Sequence, residues 1–438
     1  MTPFDAGYLF FLLPAAAALC VLAPRRARLW ATAVLGAALL WFSSPLFALP
    51  VLLSIAFDWL ACRAVARWGL RSAALLLLLS AAAKDAAAIG FFGVWLPLWG
   101  AAEAPFGVLV VHLSLLLFLV GVCRGNPAAL SPAVFGAYQL FPGRLSIGPF
   151  LPQGRCERLL RAQRLRPAAL LEGVCGVIAG AAKYVLLARP LRAVSDTLAN
   201  LIDSDPCAAG AWAAAAIPAM ALWITLSAYS DTAWGLGRVF GAQMPAVMRM
   251  PAGARGARDH VWRLNMPLTE QLLHTCLLDY RRTRDTAGST LLTAAAPFFL
   301  AMLLGLTRGL LLWAAWLSAF CLLDRLLLPV VRRLSHRLTG LLTLLCLLPG
   351  YALAGGSGTG LRALSCLAGR GVPPWNEKLL YLCRSNALLL VVSLALCTGL
   401  PASASGLLRR RFPAVWRLCA AAAAVPMLVL TASFLIQK

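Results

Sequence analysis

The sequence predicts an all-α polytopic membrane protein, a bundle of about 11–13 transmembrane or re-entrant helices forming one integral membrane domain over residues 1–438. Three observations carry this. Hydrophobic residues make up 61% of the chain and charged residues only 13%, against about 25% charge in a soluble domain. Mean hydropathy is +0.81. Apolar runs long enough to cross about 30 Å of hydrocarbon recur from end to end.

The first run, about 7–23, precedes its basic residues Arg25, Arg26 and Arg28. That order is the reverse of a cleavable signal and predicts a retained first span. Runs at about 29–43 and 46–65 flank the turn in "WFSSPLFALP", and 72–101 reads as one long segment or two short pieces. Next comes 106–122. The stretch Val134 to Pro152 is too broken by Pro and Gly for an ordinary span. It predicts a re-entrant piece, which is tolerated at membrane depth only when buried in protein. Spans at about 168–188 and 209–228 follow. The longest polar connection, Gln243 to Arg284, mixes polar and apolar residues and is too long for a simple turn. It is expected to pack on, or dip into, the membrane face. The runs at about 289–305, 309–330, 338–354, 378–399 and 415–435 complete the bundle.

The net charge of +23 sits in short loops: Arg25–Arg28, Arg63–Arg71, Arg155–Arg166, Arg281–Arg284, Arg332–Arg337 and Arg409–Arg411. This alternation is the positive-inside pattern. It places the N-terminus outside and the Arg25–Arg28, Arg155–Arg166 and Arg332–Arg337 loops in the cytoplasm, and it argues against nucleic acid as a partner. The remaining role for the charge is a cytoplasmic docking surface for an acidic or phosphorylated donor. The 13 cysteines are scattered singly, with no Cys-x-x-Cys pair, so neither a disulfide framework nor a metal site is expected.

Asp58 and His112 are ionisable groups inside apolar runs, where they need a partner or an aqueous cavity. An interhelical hydrogen bond and a catalytic role are both open for them. Asp231 lies among Ser227, Ala228, Ser230, Ala233, Gly235, Gly237 and Gly241, small residues that let helices approach closely.

The stretch "YSDTAWGLGRVFGAQMP" resembles the Tyr-Ser-Asp…Gly-Leu-Gly-Arg…Phe-Gly…Pro segment of the membrane-bound O-acyltransferases (MBOAT). The likeness is to the bacterial branch that acetylates alginate and other exopolysaccharides or D-alanylates teichoic acid. It is collinear: "LLSIAFDWLACR", Pro105-x-Gly107, Val122–Gly125, "LFPGRLSIGPFLP" with Gly148 and Pro149, "LLWAAWLSAFCLLDRL" and "ASFLIQK" fall in the family's order. The resemblance implies a bundle caging a tunnel, in a bacterial cytoplasmic (inner) membrane. An acyl donor, acyl-CoA or acyl carrier protein, would approach from the cytoplasm. The acceptor, a polymer or an acyl-accepting partner protein, would approach from outside. The chemistry implied is acyl transfer, acetyl foremost, to a hydroxyl. It centres on a histidine whose neutral imidazole takes the acceptor's proton.

At the position of the family's first histidine, "HVWRLNMPLT" keeps Arg263 but has Leu264 for tryptophan and Asn265 for histidine. At the second, "GLTRGLLLWAAW" carries Arg308. Neither an amide nor a guanidinium serves as a base at neutral pH. His260 lies five residues before Asn265, about 140° away on a helix. His274 is nearer the same face but two turns on. The expected surroundings are an exposed loop for His260 and His274. Asp231, Gly235, Gly237, Arg238, Arg263, Gly148 and Pro149 read as tunnel or scaffold residues. His112 and His274 are the alternative catalytic candidates. Three functions stay open: an acyltransferase with altered chemistry, a non-catalytic binding relative, and a transporter or scaffold on the same bundle.

Overall fold

In the computed structural model, the described residues are 4–5, 7–24, 27–69, 72–100, 105–124, 131–277, 286–331, 336–355, 357–369 and 371–436; they are helices and connections, with no strand among them. Arg25, Arg26, Arg71, Gly125, Arg281, Arg282, Arg284, Arg332 and Arg333 lie outside the described residues.

The first half begins with α1 (Leu13–Leu22), α2 (Arg28–Ser43), α3 (Pro45–Trp68) and α4 (Ser72–Gly90). A π-turn joins α4 to the short α5 (Leu96–Trp99), so 73–99 is one continuous helix rather than two short pieces. Then come α6 (Val108–Cys123) and α7 (Pro132–Gln139). Ser131 caps α7 by accepting from Val134 N, and Pro132 sits at its first turn, a pairing suited to a helix start. After α7 the chain turns back through Phe141–Ile147 and leaves by a cis Gly148–Pro149 bond. Phe141, Leu145, Ile147 and Phe150 are buried there. This buried, irregular stretch, broken by Pro and Gly, occupies the place of the expected re-entrant piece.

Next are α8 (Gln153–Arg161), α9 (Pro167–Ala182), α10 (Arg189–Ser204) and α11 (Ala208–Val239). The predicted 168–188 span extends through a π-turn into α10, and α11 outruns its predicted 209–228 span at the C-terminal end. The rest comprises α12 (Ala257–Leu264), α13 (Met266–Cys276), α14 (Ala287–Leu303), α15 (Arg308–Val331), α16 (His336–Ala354), α17 (Ser357–Cys366), α18 (Glu377–Ser385), α19 (Ala387–Cys397), α20 (Leu400–Arg411) and α21 (Pro413–Ile436). Six helical runs among the described residues are long and apolar enough to cross a membrane. The pair α18–α19, bent by 74°, passes the same test together, and four shorter apolar helices lie on other predicted spans. The chain is a multi-pass membrane protein.

Two cores hold it together. One joins α2, α3, α4, α6 and α7; the other joins α10, α12, α13, α14, α15 and α16. The helix α11 belongs to both, through Ala228, Leu236 and Val239 on one side and Ile217, Trp223 and Leu226 on the other. Its contact with α9 is a seam of small residues. A Cβ at Gly235 would stand 2.6 Å from the Gly173 carbonyl oxygen, and one at Gly173 would stand 2.7 Å from that of Gly235. The backbones touch because neither residue has a side chain.

Candidate functional site

The connection from Gln243 to Arg284 supplies the centre. Within it α12 and α13 enter the bundle, and His260, Leu264, Asn265, Leu268 and Thr269 are all buried. The described part of the connection, 243–277, thus enters the bundle at α12 and α13. The two helices meet at Asn265. Its backbone is extended (φ −150°, ψ 87°) and its Oδ1 accepts from Leu268 N at 3.2 Å, capping α13. Its Nδ2 donates to the Ile147 carbonyl in the re-entrant segment at 3.0 Å. Both ends of the amide are therefore occupied by backbone. Leu264, Leu268, Ala296, Pro297 and Leu300 close around it, leaving no room for a water.

Arg308 begins α15 and is exposed, while Asn265 is 2% exposed. Among the described residues no hydrogen bond joins the two. Arg263 holds its neighbourhood instead: its Nε donates to Asp259 at 3.0 Å and its Nη1 to the Met250 carbonyl at 3.4 Å.

His260 is 1% exposed, not looped out. Its Nε2 lies 2.7 Å from the Tyr351 hydroxyl of α16, and Trp223 Nε1 of α11 donates to the same hydroxyl at 2.9 Å. The ring of Trp313, from α15, packs 5.7 Å from Tyr351. An indole N–H can only donate, so Trp223 donates to Tyr351, and the Tyr351 hydroxyl and His260 Nε2 share one further hydrogen bond. Burial favours the neutral form of His260 and pushes the imidazole down to about 4. Nothing in the local sequence around His260 points to burial. The partners that bury His260, Trp223 and Tyr351, are distant in sequence.

The other histidines are placed differently. His112 Nδ1 lies 2.8 Å from Asp85, which also takes Lys84 at 2.7 Å; Lys84 reaches Asp58 at 3.1 Å and Ser54. This network joins α3, α4 and α6, so Asp58 and His112 carry interhelical bonds. Lys84 and Asp85, hidden in an Ala-rich run, were the unread half of it. His274 is exposed near the end of α13.

Asp231 pairs with Lys183 at 2.5 Å, and Lys183 also donates to Ser227 at 3.0 Å. Gly235 forms the seam with α9, and Gly237 faces Ala242 and Met244. Arg238 and Arg409 both bind Oε2 of Glu172, at 2.7 and 2.8 Å, and lie over the Trp234 ring. Gly148 adopts φ +105°, where a side chain is disfavoured. Among the described residues no cluster of three His, Cys, Asp or Glu could hold a metal.

No protein-family model matches the chain. It is 25% identical over 258 residues to the "Probable alginate O-acetylase AlgI" of Pseudomonas aeruginosa, covering 57% of this chain and 48% of that protein. It is 26% identical over 232 residues to the protein of the same name from Azotobacter vinelandii, covering 51% and 45%. The chain thus spans about half the length of the curated relatives it matches.

Proposed function

We propose that this chain acts in the O-acylation of a cell-surface polysaccharide, transferring an acyl group, acetyl foremost, from a cytoplasmic donor to a polymer hydroxyl across the inner membrane. Of the two acceptor classes the resemblance implies, exopolysaccharide is the one the relatives' names support. The observation that carries a chemical role is the buried His260–Tyr351 hydrogen bond of 2.7 Å. In acyl transfer the acceptor oxygen attacks the donor's carbonyl carbon, the acceptor's proton must leave, and the donor's thiolate departs and takes up a proton. His260, held at about 4 by burial, is neutral at pH 7 and has a free ring nitrogen that can take such a proton in passing, as a weak base. Tyr351 would relay it: its hydroxyl takes the acceptor's proton as it passes its own to Nε2. Trp223, donating to the same oxygen, would steady the negative charge that develops there.

A second reading, a non-catalytic binding relative, is favoured by Asn265, whose amide caps a helix and holds the re-entrant segment. Cells lacking the gene and complemented with wild-type, His260→Gln, Tyr351→Phe or Asn265→Asp protein separate the two. Ester-linked acyl on the secreted polymer is measured, with folded protein quantified in parallel. The catalytic reading expects His260→Gln and Tyr351→Phe to lower acylation by about 10²–10⁴-fold at equal folded protein. Wild-type protein that restores acylation, with both variants restoring it equally well, would remove His260 from the chemistry and leave the binding reading.

A further inference from the structure

The re-entrant segment carries a buried cation with no counter-charge. Arg144 is 1% exposed. Among the described residues no carboxylate pairs with it, and its Nε and Nη2 have no hydrogen-bond partner. Its Nη1 is held by three oxygens: the Tyr138 carbonyl at 2.7 Å, the Gln139 carbonyl at 3.2 Å and Gln139 Oε1 at 3.0 Å. The Tyr138 ring lies 4.2 Å from the guanidinium carbon and the Phe150 ring 5.8 Å from it.

This division of the guanidinium matters. One nitrogen fixes the plane, and the edge left free is the Nε–Nη2 fork, whose two parallel N–H groups match a carboxylate or phosphate. Beside it Gln139, fully buried, has an unpartnered Nε2. That atom belongs to the amide whose Oε1 accepts from Nη1. Unpaired donors and an uncompensated charge at such depth are costly unless a ligand completes them. The rings of Tyr138 and Phe150 also line a cavity of about 10 Å³, with Ser114 and with Gln271, whose Oε1 is likewise unpartnered. Such a space holds about one water; it shares the two rings with Arg144, which does not itself line it.

The geometry points to an oxyanion site at Arg144 and Gln139, one that takes a two-oxygen anionic group, carboxylate or phosphate, in the fork of the guanidinium. It is independent of the acyl-transfer reading, since neither residue was assigned a part in it. Gly143 packs on Ala233 of α11 and Ile147 accepts from Asn265, so an occupant would brace the re-entrant turn between α11 and the α12–α13 junction.

The test titrates the purified full-length protein in detergent with sodium acetate and, separately, sodium phosphate. Sodium chloride holds ionic strength constant, and melting temperature is followed. A saturable stabilisation by either anion, beyond chloride alone, is expected. Acetate alone would identify a carboxylate ligand and phosphate alone a phosphoester. Arg144→Lys keeps the charge but removes the fork, and should raise the apparent dissociation constant at least tenfold. Gln139→Met should raise it several-fold. If Arg144→Lys fails to fold, the wild-type and Gln139→Met titrations decide. No saturable response of the wild type to either anion would overturn the proposal, as would unchanged affinity in the folded variants.

Discussion

The Nζ of Lys183 stands 2.5 Å from Oδ2 of Asp231, tying α11 to the π-turn that follows α9. Asp231→Ala is expected to leave that ammonium with only Ser227 as partner and to lower the amount of folded protein. The side chains are 24% and 36% exposed, so screening keeps the ion pair itself to about 1 kcal/mol. Lys183→Ala should have a comparable effect, and the double variant should be less destabilised than the sum of the two. Fluorescence-detected gel filtration and melting temperatures check this. Normal folded levels with polymer acylation abolished would make Asp231 a chemical group instead.

His260 predicts an acid limb in stability. Its folded-state value, about 4, lies below the ordinary 6.5, so the unfolded chain binds the extra proton. Stability from the neutral, hydrogen-bonded imidazole is full above about 6.5 and is lost as pH falls towards 4. The melting temperature should therefore drop more steeply between pH 6.5 and 4 in the wild type than in His260→Gln, which has no proton to gain there. Parallel slopes in the two proteins would mean that His260 is not buried as a neutral ring.

How much of this could be read beforehand divides by range. The spans were legible because an apolar run needs only its own composition to declare itself. That 134–152 would not form an ordinary span was legible from the Pro and Gly breaking its run. The polar pairings were not. Asp58 and His112 were visible as ionisable groups, but Lys84 and Asp85, their partners, sit in "SAAAKDAAAIG" without any pattern. Tyr351 joins His260 across 91 residues, a distance at which no local periodicity speaks. Asn265 was found by resemblance, whereas its cap and its bond to Ile147 are products of the fold.

Topology offers a separate check. Arg409 reaches Glu172 at 2.8 Å, and Arg164 N donates to the Gly241 carbonyl at 3.0 Å. The basic ends of α8, α11 and α20 therefore share one face of the bundle. The positive-inside bias puts that face in the cytoplasm. Cysteines introduced at Arg158 and Arg410, both exposed, should resist a membrane-impermeant thiol reagent in intact cells and react after permeabilisation. The same protection is expected at Arg337. Labelling of any of the three in intact cells would reverse the orientation.

Asn265 supplies the last expectation. Simple alignment suggests that Asn265→His would restore a missing base. The structure gives the amide two duties that an imidazole at this position does not reproduce together: accepting from Leu268 N and donating to the Ile147 carbonyl. Loss of the cap costs about 1 kcal/mol, and a stranded buried carbonyl costs about 1–3 kcal/mol more. The space around the side chain is closed by Leu264, Leu268 and Leu300, so the larger ring must also displace its neighbours. Asn265→His should therefore melt well below wild type and gain no acylation, whereas Asn265→Asp should keep the cap and lose the Ile147 bond, falling between the two. Melting temperatures of the three proteins, with polymer-bound acyl measured alongside, decide it. A stable Asn265→His protein with raised acylation would show that the site accommodates an imidazole, and that the capping duty of Asn265 is dispensable.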